Sequence, residues 1–280
     1  MTEAEKQYID LYTEASEAIK EHSAEVMNAV RDRAFEDFRR QGFPTRKVER
    51  YKYTDMEKIF APNYGLNINR IEFPVDPYAA FRCDVPNLST LLYFVVNDAF
   101  YEKRLPNVQP EEGVVIGSLR KAAKEHPELI ARYYARIAKT EEDAITALNT
   151  MLAQDGLFIY VPKNVQMEKC VQIINILRAD VSMMVNRRVL IVMEEGAKAK
   201  FLFCDHTADD HDFLATQVIE AYVGDNASLD LYCMEETHYK NHRVSNVYIE
   251  QQRDSRVNHN VITLHNGVTR NRLDLVFKGE

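Results

Sequence analysis

Six of the eight histidines in this chain fall in its C-terminal half, among residues that alternate like β-strands: His206, His211, His238, His242, His259 and His265. Histidines so placed could ligate a metal, and their spacing decides whether they can do so together. His206 and His211 are separated by an acidic loop, and His238 and His242 fall within one loop. Neither pair matches the H-E-x-x-H helix or a tight His-x-His strand pair. The expectation is polar loop histidines, with one or two outward-facing strand histidines. Two thiol-centred groups are further candidates for soft-metal or thiol chemistry: Cys204 beside Asp205 and His206, and Cys233 followed by Glu235 and Glu236. In FLFCDHT, however, Phe201, Phe203 and Asp205 share one face while Leu202, Cys204 and His206 share the other, so Cys204 reads as a small apolar core residue.

Other catalytic signatures are missing. No G-x-x-x-x-G-K-[ST] loop, G-x-G-x-x-G turn or G-x-S-x-G elbow occurs. The four cysteines, Cys83, Cys170, Cys204 and Cys233, form no C-x-x-C pair and read as reduced thiols. Asp230, Glu250 and Asp274 are strand carboxylates without a spacing that singles them out for glycoside hydrolysis. The residues therefore assign no catalytic, cofactor-binding or metal site.

The elements that must position these side chains are short strands. From Leu157 onward, LFIYVPKNV, VQIINILR, RVLIVMEE, AKAKFLFCDHT, QVIEAYV, ASLDLYCMEE, VSNVYIEQQ, VNHNVITLH and NRLDLVFKGE recur at roughly 10 to 16 residues. In VSNVYIEQQ, Ser245, Val247, Ile249 and Gln251 point one way and their neighbours the other, which predicts one dry face. RVLIVMEE is apolar enough to lie between two layers. Asp155-Gly156, Glu195-Gly196, Gly224-Asp225-Asn226 and Asn266-Gly267 supply corners. No strict short repeat is present, so a β-helix, a sandwich and a barrel all fit.

Before the array, Glu3 to Gln41 carries apolar residues at helical spacing and ends at Gly42-Phe43-Pro44. Pro44 to Pro86 reads as an irregular connector, and LLYFVVNDAFYEKRL as a hairpin turning at Asn97-Asp98. Ser118 opens a helical stretch, Pro127 sits in the first turn of a second helix, and Thr140 with Asp143 resembles a capping box. The division expected is a helical and mixed region over 1-152 and a β-helix core over 153-280.

A net charge of -8 and a pI near 5.6 exclude bulk attraction to nucleic acid or to an anionic membrane. Arg39, Arg40, Arg46, Lys47, Arg50 and Lys52 read as a solvated basic face. No apolar run approaches the roughly 20 residues that span a bilayer, and MTEAEKQYID lacks a leader pattern, which predicts a cytoplasmic protein.

Several phrases resemble the SufB/SufD family of iron–sulfur cluster assembly scaffolds, and its SufD branch in particular. The most specific is PTRKVERYKYTDM, Pro44 to Met56, in which Tyr51 stands where that family usually has tryptophan. The hairpin, LNTMLAQDGLFIYVPKNV, RVLIVMEEGAKAKFLFCDHT and NGVTRNRLDLVFKGE also match, in order along nearly the whole chain. The resemblance implies a helical N-terminal region packed on a right-handed parallel β-helix. It further implies a cytoplasmic complex with SufB-like and SufC-like partners, or a homodimer, and a subunit that is not itself an enzyme. ATPase activity would belong to SufC, and the iron–sulfur cluster and a reduced flavin to the complex, leaving no cofactor in this chain. The family's C-S-H-G-A-type histidine motif does not occur here, and the family's C-terminal third, with its partner surfaces, is expected beyond Glu280. Leu273, Leu275 and Phe277 share one strand face, so copies are expected to associate through that end. Two other readings use the same strands: a β-helix enzyme acting on polysaccharide, and a metal-dependent enzyme on a β-barrel.

Overall fold

The computed structural model describes residues 1–80, 91–265 and 267–279. The N-terminal apolar periodicity forms three helices rather than one: α1 (Glu3–Glu21), α2 (Glu25–Asn28) and α3 (Arg31–Gln41). Thr2 and Glu5 close a capping box at the start of α1. The break serves Arg31, a fully buried side chain whose guanidinium donates to the carbonyls of Met151 and Ala153 at 2.7 and 2.8 Å and to Ser23 Oγ at 2.9 Å. In a continuous helix Ser23 and Arg31, eight residues apart, would lie about 12 Å apart along the axis, too far for this bond. Gly42, with φ of 62°, ends α3 as expected.

The connector is more ordered than its composition suggests, holding a 3₁₀ turn (Glu49–Tyr51), α4 (Met56–Phe60) and α5 (Pro77–Ala80); its last residues and Cys83 lie outside the described residues. The hairpin forms as β1 (Leu91–Val96) and β2 (Ala99–Phe100), with Asn97 at φ of 56° in its turn. Next come β3 (Val115–Ser118), α6 (Leu119–Glu125), α7 (Pro127–Tyr133) and α8 (Ala144–Leu152). Ser118 caps α6 and Pro127 starts α7. Asp143 is itself the N-cap of α8, accepting from the Thr146 N–H, whereas Thr140 donates to Asp37 at 2.6 Å; the expected capping box is therefore a single Asp cap.

The nine expected strands all form: β4 (Leu157–Val161), β5 (Val171–Leu177), β6 (Met183–Met193), β7 (Lys198–Thr207), β8 (Phe213–Val223), β9 (Ser228–Glu236), β10 (His242–Gln251), β11 (Arg256–His265) and β12 (Val268–Phe277). Even-numbered strands from β4 onward pair in parallel in one sheet and odd-numbered strands from β5 onward in the other, so each coil contributes one strand to each layer. A barrel would close one sheet on itself and a sandwich would pair neighbours antiparallel; this connectivity is a parallel β-solenoid. Its first coil is finished by the N-terminal region, β1 pairing with β5 and β3 with β4. The interior is filled by residues in register, such as Val189, Ile219, Val247 and Leu273 on one side and Ile173, Phe203, Cys233 and Val261 on the other.

The outer face of the even sheet is dry as well. Val244, Asn246 and Tyr248 of β10 lie under the helical region, which is why that strand is buried on both faces instead of one. Helix α8 lies against this sheet and makes a polar contact with successive strands. Thr150 accepts from Arg188 on β6, and Asn149 donates to Thr216 on β8. Thr146 bonds Tyr248 and Asn246 on β10, and Asp143 accepts from Asn246 and from Arg272 on β12.

Candidate functional site

Inside the solenoid, one corner is charged. The β6, β8, β10 and β12 ladder places Arg187, Gln217, Ser245 and Asn271 in register, and the facing ladder places Asn175, Asp205, Glu235 and Thr263. Arg243 joins from β10. Arg187 donates to Asp205 Oδ1 at 2.8 Å and to the Asn97 carbonyl at 3.0 Å. Arg243 reaches Asp205 Oδ2 at 2.7 Å as an ion pair and hydrogen-bonds Glu235 and Asn271 Oδ1. Glu235 also accepts from Asn271 at 3.1 Å and Thr263 at 2.7 Å. Burial pushes the Asp205 carboxyl up, but the two guanidinium groups outweigh it and hold its pKa below the ordinary carboxylate value. Two cations and two carboxylates thus compensate one another in a dry core.

Beside this quartet lies a cavity of about 130 Å³ lined by Cys233, Glu235, Arg243, Ser245, His259 and Asn271, among others. Cys233 Sγ is 3.9 Å from His259 Nε2. Burial raises the Cys233 thiol to about 12 and lowers the His259 imidazole below its ordinary value, so both groups are neutral at neutral pH. This is the most chemically equipped place in the solenoid. Burial thus disfavours the thiolate form in which a cysteine acts as a nucleophile.

The candidate residues named from sequence are mostly not brought together. His211 and His238 lie in loops, and His238 Nε2 is 3.0 Å from Asp210 at the surface. His206 sits at the end of β7 with its pKa lowered to about 4 by burial, and His242 starts β10. His259 corrects the expectation of outward strand histidines, because its register beside Leu231 turns it into the solenoid. His265 ends β11, and nothing is described of its side chain. Cys204 is buried in an apolar cluster with Phe94, Ile174, Ile176 and Leu202, on the face opposite Asp205, as its alternation implied. Among the described residues no group of three or more His, Cys, Asp or Glu side chains is placed to hold a metal ion.

Of the carboxylates, Asp230 is on the odd sheet beside Lys200, while Glu250 and Asp274 are on the even sheet, so they line no common groove. Asp274 is held by Arg272. In the basic face, the exposed side chains of Arg39, Arg40, Arg46 and Lys52 pair with Glu36, with the buried Asp37, with Asp55 and with Glu49. Arg187 and Arg243 were missed. The available signal was Asp205 on the same strand face as Phe201 and Phe203, since a carboxylate aimed into a core demands a buried cation.

The PTRKVERYKYTDM segment closes over the other side of β12. Tyr51 is buried, donates to Asp143 Oδ2 at 2.5 Å, and stacks under the Arg270 guanidinium at 3.9 Å from its ring centre. Arg270 also donates to the Arg50 carbonyl at 3.0 Å, and Arg272 to Asp143 at 2.9 Å. The most distinctive sequence phrase of the chain is therefore a clasp between the N-terminal region and the last described strand.

Among the described residues no helix is long and apolar enough to cross a membrane. Residues 2–173 match the family model of the SufBD protein N-terminal region, and residues 175–280 that of the SUF system FeS cluster assembly SufBD core domain. The iron–sulfur cluster assembly protein SufD of Bacillus subtilis is 29% identical over 65% of this chain and 41% of its own length. A SufBD family protein of Synechocystis is 32% identical over 42% of this chain and 25% of its own, and a chloroplastic one of Arabidopsis thaliana 32% identical over 42% and 21%. The matches thus span less than half the length of each of these relatives. Two family models that together cover the chain from residue 2 to residue 280, over a helical region joined to a parallel β-solenoid, show that this chain belongs to the SufBD family of the SUF iron–sulfur cluster assembly system, with the similarity to SufD supporting the SufD branch.

Proposed function

We propose that the protein is a SufD-like scaffold subunit of iron–sulfur cluster assembly, cytoplasmic and non-catalytic alone, which works in a complex with SufB-like and SufC-like partners. ATP hydrolysis belongs to the SufC-like partner, and cluster and reduced flavin to the assembled complex. In this reading residues 1-152 brace the solenoid of residues 153-280. The observation that carries the reading is the ordered match of both family models, together with the similarity to a protein named for SufD. A core whose buried charges are mutually paired, and whose described cysteines are buried or half-buried, supports a structural role over an enzymatic one. The test is affinity purification of the full-length protein from its own host. Recovery of SufB and SufC homologues in stable stoichiometry is expected, and reproducible absence of both sinks the proposal.

A further inference from the structure

We propose that a cavity between the N-terminal region and the start of the solenoid binds a small zwitterion, an amino acid with an apolar side chain, independently of the scaffold role. Four segments converge on this cavity of about 300 Å³: the loop with Arg70 and Phe73, the β1–β2 hairpin with Asp98 and Phe100, the first turn of α6 with Arg120, and Asp155 between α8 and β4. The Asn67 side chain ties the loop by bonding both the N–H and the carbonyl of Ile71 at 2.8 Å. Arg70 within that loop takes φ of 53°, an uncommon conformation for a residue other than glycine. The turn carries its guanidinium to the two carboxylates.

Two opposite charges in this lining are incompletely matched. Arg70 serves two carboxylates, at 2.8 Å from Asp98 Oδ1 and 3.9 Å from Asp155 Oδ2. Asp155 is buried, and burial pushes its carboxyl above the ordinary value against the opposing pull of Arg70. A second cation would complete this pair of acids. Arg120 presents the converse case. Its backbone N–H donates to Asp155 Oδ1 at 3.0 Å, but its guanidinium turns to the His22 carbonyl at 3.3 Å and, among the described residues, meets no carboxylate at ion-pair distance. The other charges at the mouth cancel in pairs, Lys103 with Glu72 and Lys121 with Glu102. A lone cation or a lone anion would answer one of the two; an ammonium and a carboxylate on one molecule answer both. Phe73 and Phe100 supply apolar wall for its side chain, and the volume is that of a small-ligand pocket.

Titration calorimetry of the whole chain with L-phenylalanine and L-leucine tests the site, with phenethylamine and 3-phenylpropionate as analogues that each lack one charge. At least one of the amino acids is expected to bind saturably at one equivalent per chain. Each analogue should bind at least about tenfold more weakly than phenylalanine, because it leaves one protein charge unanswered. Arg120→Gln should bring phenylalanine down to the level of phenethylamine while leaving phenethylamine itself unchanged, a pattern that general loss of structure would not produce. Asp155→Asn should likewise bring phenylalanine down to the level of 3-phenylpropionate. Arg120 is half-buried and engages a single carbonyl through its side chain, so its variant remains decisive if Asp155→Asn fails to fold. Absence of saturable binding of both amino acids, or a preference over phenethylamine that survives Arg120→Gln, overturns the proposal.

Discussion

Replacing Glu220 with glutamine should be among the most damaging conservative changes available to this protein. The Glu220 carboxylate on β8 is fully buried and accepts from four consecutive backbone N–H groups, those of Ala135, Arg136, Ile137 and Ala138, at 2.9 to 3.2 Å. It also pairs with Arg188, whose side chain is equally inaccessible to water. Glutamine keeps the shape but removes the charge, leaving the guanidinium with Thr150 Oγ1 and the face of Tyr134 as its remaining partners. Removing one member of a buried pair costs about 3–5 kcal/mol, a large share of the roughly 5–15 kcal/mol that holds a typical domain together. Arg188→Met should cost less, because four N–H donors still solvate the carboxylate it leaves behind. Urea unfolding followed by circular dichroism and tyrosine fluorescence, which is unobscured because the chain has no tryptophan, measures both. A loss below about 1 kcal/mol in Glu220→Gln, or a larger loss in Arg188→Met, would refute the reasoning.

Acid should destabilise the protein through His206. Its folded pKa of about 4 lies below the ordinary 6.5, so the unfolded chain binds the extra proton; the stability is present at neutral pH and is lost as pH falls from about 6.5 to about 4. The loss should be on the order of 2–3 kcal/mol, and unfolding midpoints of His206→Gln should show a flatter pH slope over that window. The clasp predicts a graded series at Tyr51. Tyr51→Phe should cost about 1–2 kcal/mol for the lost donor to Asp143, and Tyr51→Ala about 3–5 kcal/mol for the emptied ring site. Tyr51→Trp, which keeps an aromatic face for Arg270 and an N–H donor, should cost least; thermal melts that rank Phe with Ala argue against the clasp. Finally, Gly156→Ala would place its Cβ 2.1 Å from the Arg188 carbonyl oxygen, a backbone collision that side-chain rotation cannot relieve. A destabilisation of at least about 1–3 kcal/mol should appear in the same melts, and an unchanged midpoint would disprove the close approach.

The strands were legible because their signal is local: alternation between corners located all nine, and RVLIVMEE revealed its two-layer burial through uninterrupted apolar residues. Architecture was not legible from periodicity, since parallel pairing between β6 and β8 depends on register between segments that never touch in sequence. The same limit hid the charged corner. Asp205 shares a strand face with Phe201 and Phe203, but alternation does not say whether that face or the one with Cys204 meets the solenoid interior, and its partners Arg187 and Arg243 lie on two other strands. His259 looked like an outward strand histidine because a single strand does not say which of its faces meets the core. The long N-terminal helix failed for a related reason: its break is dictated by a tertiary contact, the burial of Arg31 against carbonyls of the segment after α8.

The way α8 meets the solenoid follows from two lengths. Strands in a sheet lie about 4.8 Å apart, and one α-helical turn advances about 5.4 Å. A helix laid across parallel strands therefore presents a new residue of the same face to each successive strand. Asn149, Thr146 and Asp143, three residues apart, meet β8, β10 and β12, while Thr150 beside Asn149 is reached from β6 by the long Arg188 side chain. Small polar side chains suit this role, because a bulky apolar residue would hold the backbones apart while a hydroxyl or amide bridges them at hydrogen-bond distance. Slipping any one strand by a residue would reverse its faces, moving Asn246 or Thr216 into the solenoid interior and its apolar neighbours against the helix. The helix thus acts as a gauge for strand register, and through Asp143 and Tyr51 the same gauge extends to the strand that carries Arg270 and Arg272. A surface built on those outer strands inherits its geometry from the N-terminal region, which is the physical sense in which the two parts of this chain make one scaffold.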